Sequence, residues 1–534
     1  MKRLAAALVV MLLAGCTSDD AGDGTPPEPS VSPSASTAPD EPTATSAPSP
    51  AGASVLLPAG RADDRDAADV RRRVDAAVAE LVDTTTAAWL PVAREGITED
   101  WPIVLGEAVL TTDGAVAAEL SLVGDLGADW DLRLLPAATA LGEIGLTLTG
   151  TVDGAPVPVA VDEAGARADV SVAAADRVTR LEVSYRVPER SAVVDDGSPA
   201  GFGLLARTAG VVALGHWLPV PMLDSDAGPM QARGDVGGFP PAAWSVVVHH
   251  DGTFVSGGLD GPCPATVERR PDLACTWSRG LGLRDLSAVL LADAAESESD
   301  GLRVVAPSGA LSAAQRERSV EEAADGMAIL SEALGALPWT TLDVVAVPML
   351  PGAAGMEFPG MVWIDPEVWP ADDAELGSYV LAHEVGHQWF HAFVGNGSLS
   401  APVIDEAGAQ YLSYLVFAER FGEDAATALD RRSITGRGSR AIADGIPDED
   451  PALALDQFSS SRSYGAAVYG RGGAAWIEAE QAAGRDAVVA VLRALVDAYG
   501  LGQADVADVL AVAQEVDAAV ATVLADGWGA TGAR

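Results

Sequence analysis

The chain is 534 residues long, more than one ordinary domain needs, and 49% of it is hydrophobic, enough to bury large cores. Aspartate and glutamate number 77 against 33 lysines and arginines, giving a formal net charge of -44. That balance excludes nucleic-acid binding, which needs a basic surface. It fits the solubility of an exported protein better than a device for attracting basic peptides.

At the N-terminus, Lys2 and Arg3 precede an apolar run from Leu4 to Leu13, too short for a membrane-spanning helix. Leu13-Ala14-Gly15-Cys16 follows, and the whole resembles a bacterial lipoprotein signal whose Cys16 becomes the lipid-modified first residue. An ordinary secretory signal with an incidental cysteine is the other reading. Acyl chains on Cys16 would bury methylenes in the lipid bilayer and anchor the protein outside the cytoplasmic membrane. Residues 16–57 are rich in Pro, Ser, Thr and Ala, with almost no large apolar side chains. Such a segment cannot offset the entropy of folding and reads as a tether.

Residues 58–99 form a lead-in with a helix candidate from Ala67 to Val82. Over 100–300, short apolar runs alternate with turn residues, as at Ala115 to Val123, Gly145 to Val152, Val178 to Val187 and Trp244 to His249. Asp153-Gly154 and Asp251-Gly252 supply turns. This predicts a β-sheet domain. Cys263 and Cys275 lie close together in an exported chain, which favours a disulfide over two free thiols.

From 301 to 534 the texture is helical. Leu311 to Leu337 is a long helix candidate, a strand is expected over 341–348, and the tail from Ala474 to Trp528 repeats at helical spacing. Between them lies His383-Glu384-Val385-Gly386-His387. Histidines at i and i+4 share one helix face and can direct two imidazoles at one ion. Glu384 sits beside the metal without having to ligate it, where a general base for water belongs. An open catalytic zinc site needs a third protein ligand, and Glu406 supplies it on a helix expected to begin near Asp405. Asp372 and Glu375 have capping-box spacing ahead of the first helix. His391 is one more turn along the same face. Because each residue rises about 1.5 Å, three successive turns of a straight helix do not surround one ion, and His391 is expected to pack or support. The bland alternative is a chance pentapeptide on a buried helix, although three of the six histidines fall between 383 and 391.

These residues resemble the M1 family of zinc aminopeptidases, the gluzincins related to aminopeptidase N and leukotriene A4 hydrolase. The family pattern is His-Glu-x-x-His, eighteen residues, then Glu; here residues 388–405 intervene before Glu406. Gln388-Trp389-Phe390 is also similar to the family. Gly355-Met356-Glu357-Phe358 resembles its Gly-x-Met-Glu-Asn loop, which implies that Glu357, with Gly355 and Met356, binds the substrate's free amino group. Tyr469-Gly470-Arg471-Gly472 resembles its Tyr-x-Lys-Gly motif and implies that Tyr469 stabilises the oxyanion, with Tyr464 as competitor. Leu214-Gly215-His216-Trp217-Leu218-Pro219 is the most similar piece of the N-terminal region. Phe358, Asp405 and Arg471 depart from the family's usual Asn, Asn and Lys, which bears on substrate register more than on hydrolysis.

The expected architecture is α+β and multidomain: an N-terminal β-sheet domain followed by a mostly helical, thermolysin-like zinc catalytic domain. The expected function is hydrolysis of peptide substrates, using one Zn2+, by a membrane-anchored M1-like aminopeptidase. An endopeptidase on the same scaffold and a non-catalytic metal-binding surface lipoprotein are the alternatives.

Overall fold

The computed structural model describes residues 101–530 apart from 124–129, 134–146, 153–154, 158–159, 162–166, 170–177, 188, 190–203, 209, 219, 224–238, 266, 350–352 and 370–374. Cys16, the tether, the helix expected over 67–82 and Asp372 lie outside those residues. No helix among the described residues is long and apolar enough to cross a membrane.

The chain first builds sheets. Eight strands lie side by side in the order Leu259–Pro262, Ala274–Leu283, Ala242–His250, Ile103–Leu110, Ala115–Val123, Val178–Arg186, Thr147–Val152 and Ala155–Val157. Most neighbours are antiparallel, but Ile103–Leu110 runs parallel to Ala242–His250. The strands read from the apolar runs are all present, within a few residues at their ends. Cys263 and Cys275 are disulfide-bonded with Cα atoms 5.8 Å apart, closing the end of the Leu259–Pro262 and Ala274–Leu283 hairpin. Cross-linking a loop of this size stabilises by roughly 3 kcal/mol in the chain-entropy account.

A four-stranded sheet, Thr253–Ser256, Ala288–Leu291, Val211–Leu214 and Leu205–Thr208, is apolar on both faces. Successive side chains of a strand point to opposite sides. Leu205, Val212, Leu214, Phe254, Ala288 and Leu290 therefore join the core of the large sheet. Val211, Ala213, Val255, Val289 and Leu291 join a second core with Val345, Met356, Phe358, Met361 and Trp363. This sheet is thus the layer that cements the N-terminal region to the region carrying the motifs.

That second region opens with five strands in the order Ala294–Ser299, Leu302–Pro307, Leu342–Ala346, Met361–Ile364 and Gly355–Phe358. The first two pair as a hairpin across Asp300 and Gly301. Gly355–Phe358 is the edge strand. The helix Ala313–Leu334 begins at a capping box between Ser312 and Gln315 and packs on the helix Glu375–Gly386. Helices Val403–Phe421, Gly473–Ala483, Arg485–Tyr499, Val506–Val516 and Ala518–Gly527 complete the layer. Arg284, fully buried, ties the two regions together by donating to the carbonyls of Phe239, Ala392, Phe393 and Gly502. His216, from the segment Leu214-Gly215-His216-Trp217-Leu218-Pro219, lies 3.0 Å from Asp285 at the same junction.

Candidate active site

The helix Glu375–Gly386 is buried on nearly every side from Gly377 onward, so its histidines face protein rather than solvent. The amide of His387 still donates to the carbonyl of His383 at 3.2 Å, which preserves the i,i+4 geometry across the helix end. His383 Nε2 and His387 Nε2 lie 3.2 Å apart. Glu406 Oε2 lies 3.2 Å from the first and 3.4 Å from the second. A tetrahedral ion with bonds of about 2.0–2.1 Å sets its ligand atoms about 3.3 Å apart. The three side chains therefore fit one small divalent cation.

The surroundings hold these ligands in place. The carbonyl oxygen of Phe390 can only accept, and it lies 3.1 Å from His387 Nδ1. That bond puts the proton on Nδ1 and leaves the Nε2 lone pair for the ion. Glu406 stands in the first turn of the helix Val403–Phe421, where the helix dipole favours a carboxylate. Asp405 accepts from the Glu406 amide at 2.8 Å and from Ser398 Oγ at 3.1 Å, so a carboxylate is well used at this position.

Glu357, Glu384 and His387 form a second group whose polar atoms lie within 4.8 Å of one another. Burial raises the Glu384 carboxyl to about 8, with the Glu406 charge adding and His387 opposing. Burial alone would lower His387, but Glu357, Glu406 and Glu384 raise it well above the usual imidazole range. Glu406 is lowered despite its burial, because both histidines donate to it.

Alternation along the edge strand sorts its residues. Gly355 and Glu357 face the site, while Met356 and Phe358 face the apolar cluster beneath. Met356 was expected among the substrate-binding residues; its side chain is instead 4% exposed and packs away from the site, leaving only its main chain to serve. A Cβ on Gly355 would lie 2.3 Å from Glu384 Oε1, so only glycine lets strand and carboxylate approach this closely. Gln388, whose support role the sequence did not reveal, grips the same hairpin. It accepts from the Gly360 amide at 2.9 Å and donates to the Phe358 carbonyl at 3.0 Å.

His391 packs behind the site, but off the helix. The helix ends at Gly386 and the chain turns away, with His391 at φ 132°. It sits behind His387, rings 6.2 Å apart, with Nδ1 3.7 Å from Asp405. Tyr469 lies in the π-helix Gly465–Gly472. Its hydroxyl donates to Glu406 Oε1, and its ring centroid is 5.8 Å from that of His383. Tyr464, the competitor, packs edge-on against Tyr469 at 5.7 Å and against Phe458 at 5.3 Å. The wide π winding brings the two tyrosines together, and no spacing rule for α-helices foretells it.

A sheet-rich N-terminal region followed by a mostly helical region is the two-domain architecture of the M1 metallopeptidases. Residues 320–528 match the model of the peptidase family M1 domain. The chain is similar to a point mutant of an M1 zinc metallopeptidase from Deinococcus radiodurans, with a TM-score of 0.55 and 16% identity over 81% of this chain and 97% of that one. With the Deinococcus radiodurans mutant bound to a Tyr-Ser-Ala substrate the TM-score is 0.57 at 16% identity, covering 81% and 96%. Native yeast leukotriene A4 hydrolase gives 0.57 at 14% identity, covering 80% and 67%. No curated protein matches the sequence.

Because the Gly355 contact sets the position of Glu384, Gly355→Ala is expected to lower kcat on a peptide substrate by roughly 10²-fold, the effect of about 1 Å of misplacement. Metal content should stay unchanged. Turnover and metal analysis on the same preparation check this, and wild-type turnover would show that the contact does not position the carboxylate.

Proposed function

We propose that this protein is a zinc-dependent aminopeptidase that hydrolyses short peptides outside the cytoplasmic membrane. The observation that carries the reading is the set of 3.2–3.4 Å separations among His383, His387 and Glu406, with Glu384 and Tyr469 on either side. A divalent ion held there would polarise the scissile carbonyl and make water more acidic. Glu384, which lies beside His387, takes a proton from the attacking water and passes it to the leaving amine. Tyr469 moves its hydrogen bond from Glu406 to the carbonyl oxygen as charge develops, a contribution of about 2.7–4 kcal/mol for a preorganised donor. Glu357 accepts the substrate's α-ammonium. The edge strand Gly355–Phe358, through main-chain groups including those of Gly355 and Met356, pairs with the extended peptide. The tripeptide bound in the Deinococcus relative supports a peptide as substrate.

Glu384→Gln should retain one zinc per chain while kcat falls by roughly 10²–10⁴-fold. Unaltered turnover in that variant refutes the base. N-acetylation of a peptide should lower kcat/KM at least about tenfold, because it removes a charge-assisted contact to buried Glu357. Equal cleavage of blocked and free peptides would make the enzyme an endopeptidase. Bound zinc with no hydrolysis across a peptide library would make it a binding lipoprotein.

The leader, with Leu13-Ala14-Gly15-Cys16, supports a lipid anchor at Cys16. In cells expressing the full chain, Cys16→Ser should move the protein from the membrane pellet to the soluble fraction. A protein that still pellets with membranes overturns the anchor.

A further inference from the structure

Arg437 lies on the helix Thr435–Ala443, half-buried, with its guanidinium carbon 4.8 Å from the centroid of the Tyr469 ring. The ring face is held by a cation–π contact, and behind it the Tyr469 hydroxyl reaches Glu406. The guanidinium is confined on its other side as well. A Cβ on Gly465 would lie 2.8 Å from Arg437 Nη2, so a glycine at the start of the π-helix makes room for it.

Several arginines of the helical region are paired with carboxylates. Arg471 pairs with Asp448 at 2.8 Å, Arg485 with Glu423 at 2.8 Å, Arg420 with Asp325 at 3.3 Å and Arg462 with Asp444 at 3.5 Å. The Arg437 guanidinium makes no ion pair or hydrogen bond among the described residues. Unlike Arg284, whose guanidinium is taken up by four carbonyls, the Arg437 guanidinium keeps its donors beside the ligand cluster. Its field reaches His383 and Tyr379, which places it within range of the reacting centre.

The position matters as much as the charge. Glu357 approaches the ligands from the His387 side, and Arg437 from the side of Tyr469 and His383. A peptide whose ammonium meets Glu357 and whose scissile carbonyl meets the ligands sends its leaving segment past Tyr469. Extended chain advances about 3.3–3.6 Å per residue, so one or two residues bring a free carboxylate to a guanidinium here. A planar guanidinium matches a carboxylate in bidentate geometry, and a lysine would not.

We propose that Arg437 is a specificity residue that binds the free C-terminal carboxylate of di- and tripeptides, so that the enzyme selects short peptides with both termini free. The proposal rests on the peptidase reading above. It is tested by kcat/KM for one tripeptide as free acid and as C-terminal amide, in wild type, Arg437→Gln and Arg437→Lys. The wild type should prefer the acid by about tenfold or more, the size expected for hydrogen bonds to a charged group. The preference should appear in KM, fall to about one in Arg437→Gln and survive in part in Arg437→Lys. Both substrates are read on the same preparation, so loss of folded protein cancels in the ratio. Equal cleavage of acid and amide by wild type overturns the proposal alone. So does an equal fall for both in Arg437→Gln, which would make Arg437 a support for the Tyr469 ring. Hydrolysis of neither substrate by wild type overturns the peptidase reading and this proposal with it.

Discussion

Three carboxylates and two imidazoles share one desolvated volume. Glu357, Glu384, Glu406, His383 and His387 are each between 1% and 7% exposed. Burying this much acid without compensation is strongly unfavourable. The protein alone meets the demand by redistributing protons: Glu384 is raised to about 8, His387 is raised, and Glu406 is kept ionised between two histidine donors. A divalent cation would meet it more fully. The same repulsion that makes the cluster costly would favour a bound cation.

Much of the surrounding architecture holds that cluster closed. The two-faced sheet centred on Val211–Leu214 and Ala288–Leu291 joins the N-terminal core to the core beneath the edge strand. Met356 and Phe358 are the anchors of that strand in the apolar layer, and their burial points Gly355 and Glu357 at the site. Gln388 links the end of the histidine helix to the same hairpin. Arg284 fixes the following loop through four carbonyls. The edge strand and the histidine pair are therefore coupled through one hairpin and one helix end.

Several elements were legible because their causes are local. Ala115–Val123 and Val178–Arg186 follow from apolar runs between turn residues. The helix Ala313–Leu334 follows from its periodicity. Other features escaped because their causes are distant. His391 continues the helical spacing, yet the chain leaves the helix at Gly386 to meet Asp405 and the junction loop. Met356 sits in a motif that suggests contact with substrate, but strand alternation against a remote sheet turns its side chain away. Gln388 and Arg437 carry no signal of partner or role in their own neighbourhoods.

The sequence by itself determined the chemistry: which imidazoles face together, which carboxylate lies beside them, and which spacing brings Glu406 into play. The first two follow from helix periodicity, a property of a few consecutive residues, and the spacing to Glu406 follows from the resemblance to the M1 pattern. Only the tertiary structure decided the separations among the ligands, the orientation of the edge strand and the meeting of Tyr469 with Glu406. Each of these depends on side chains far apart in sequence excluding water from the same volume, and periodicity carries no information about which segments will do so.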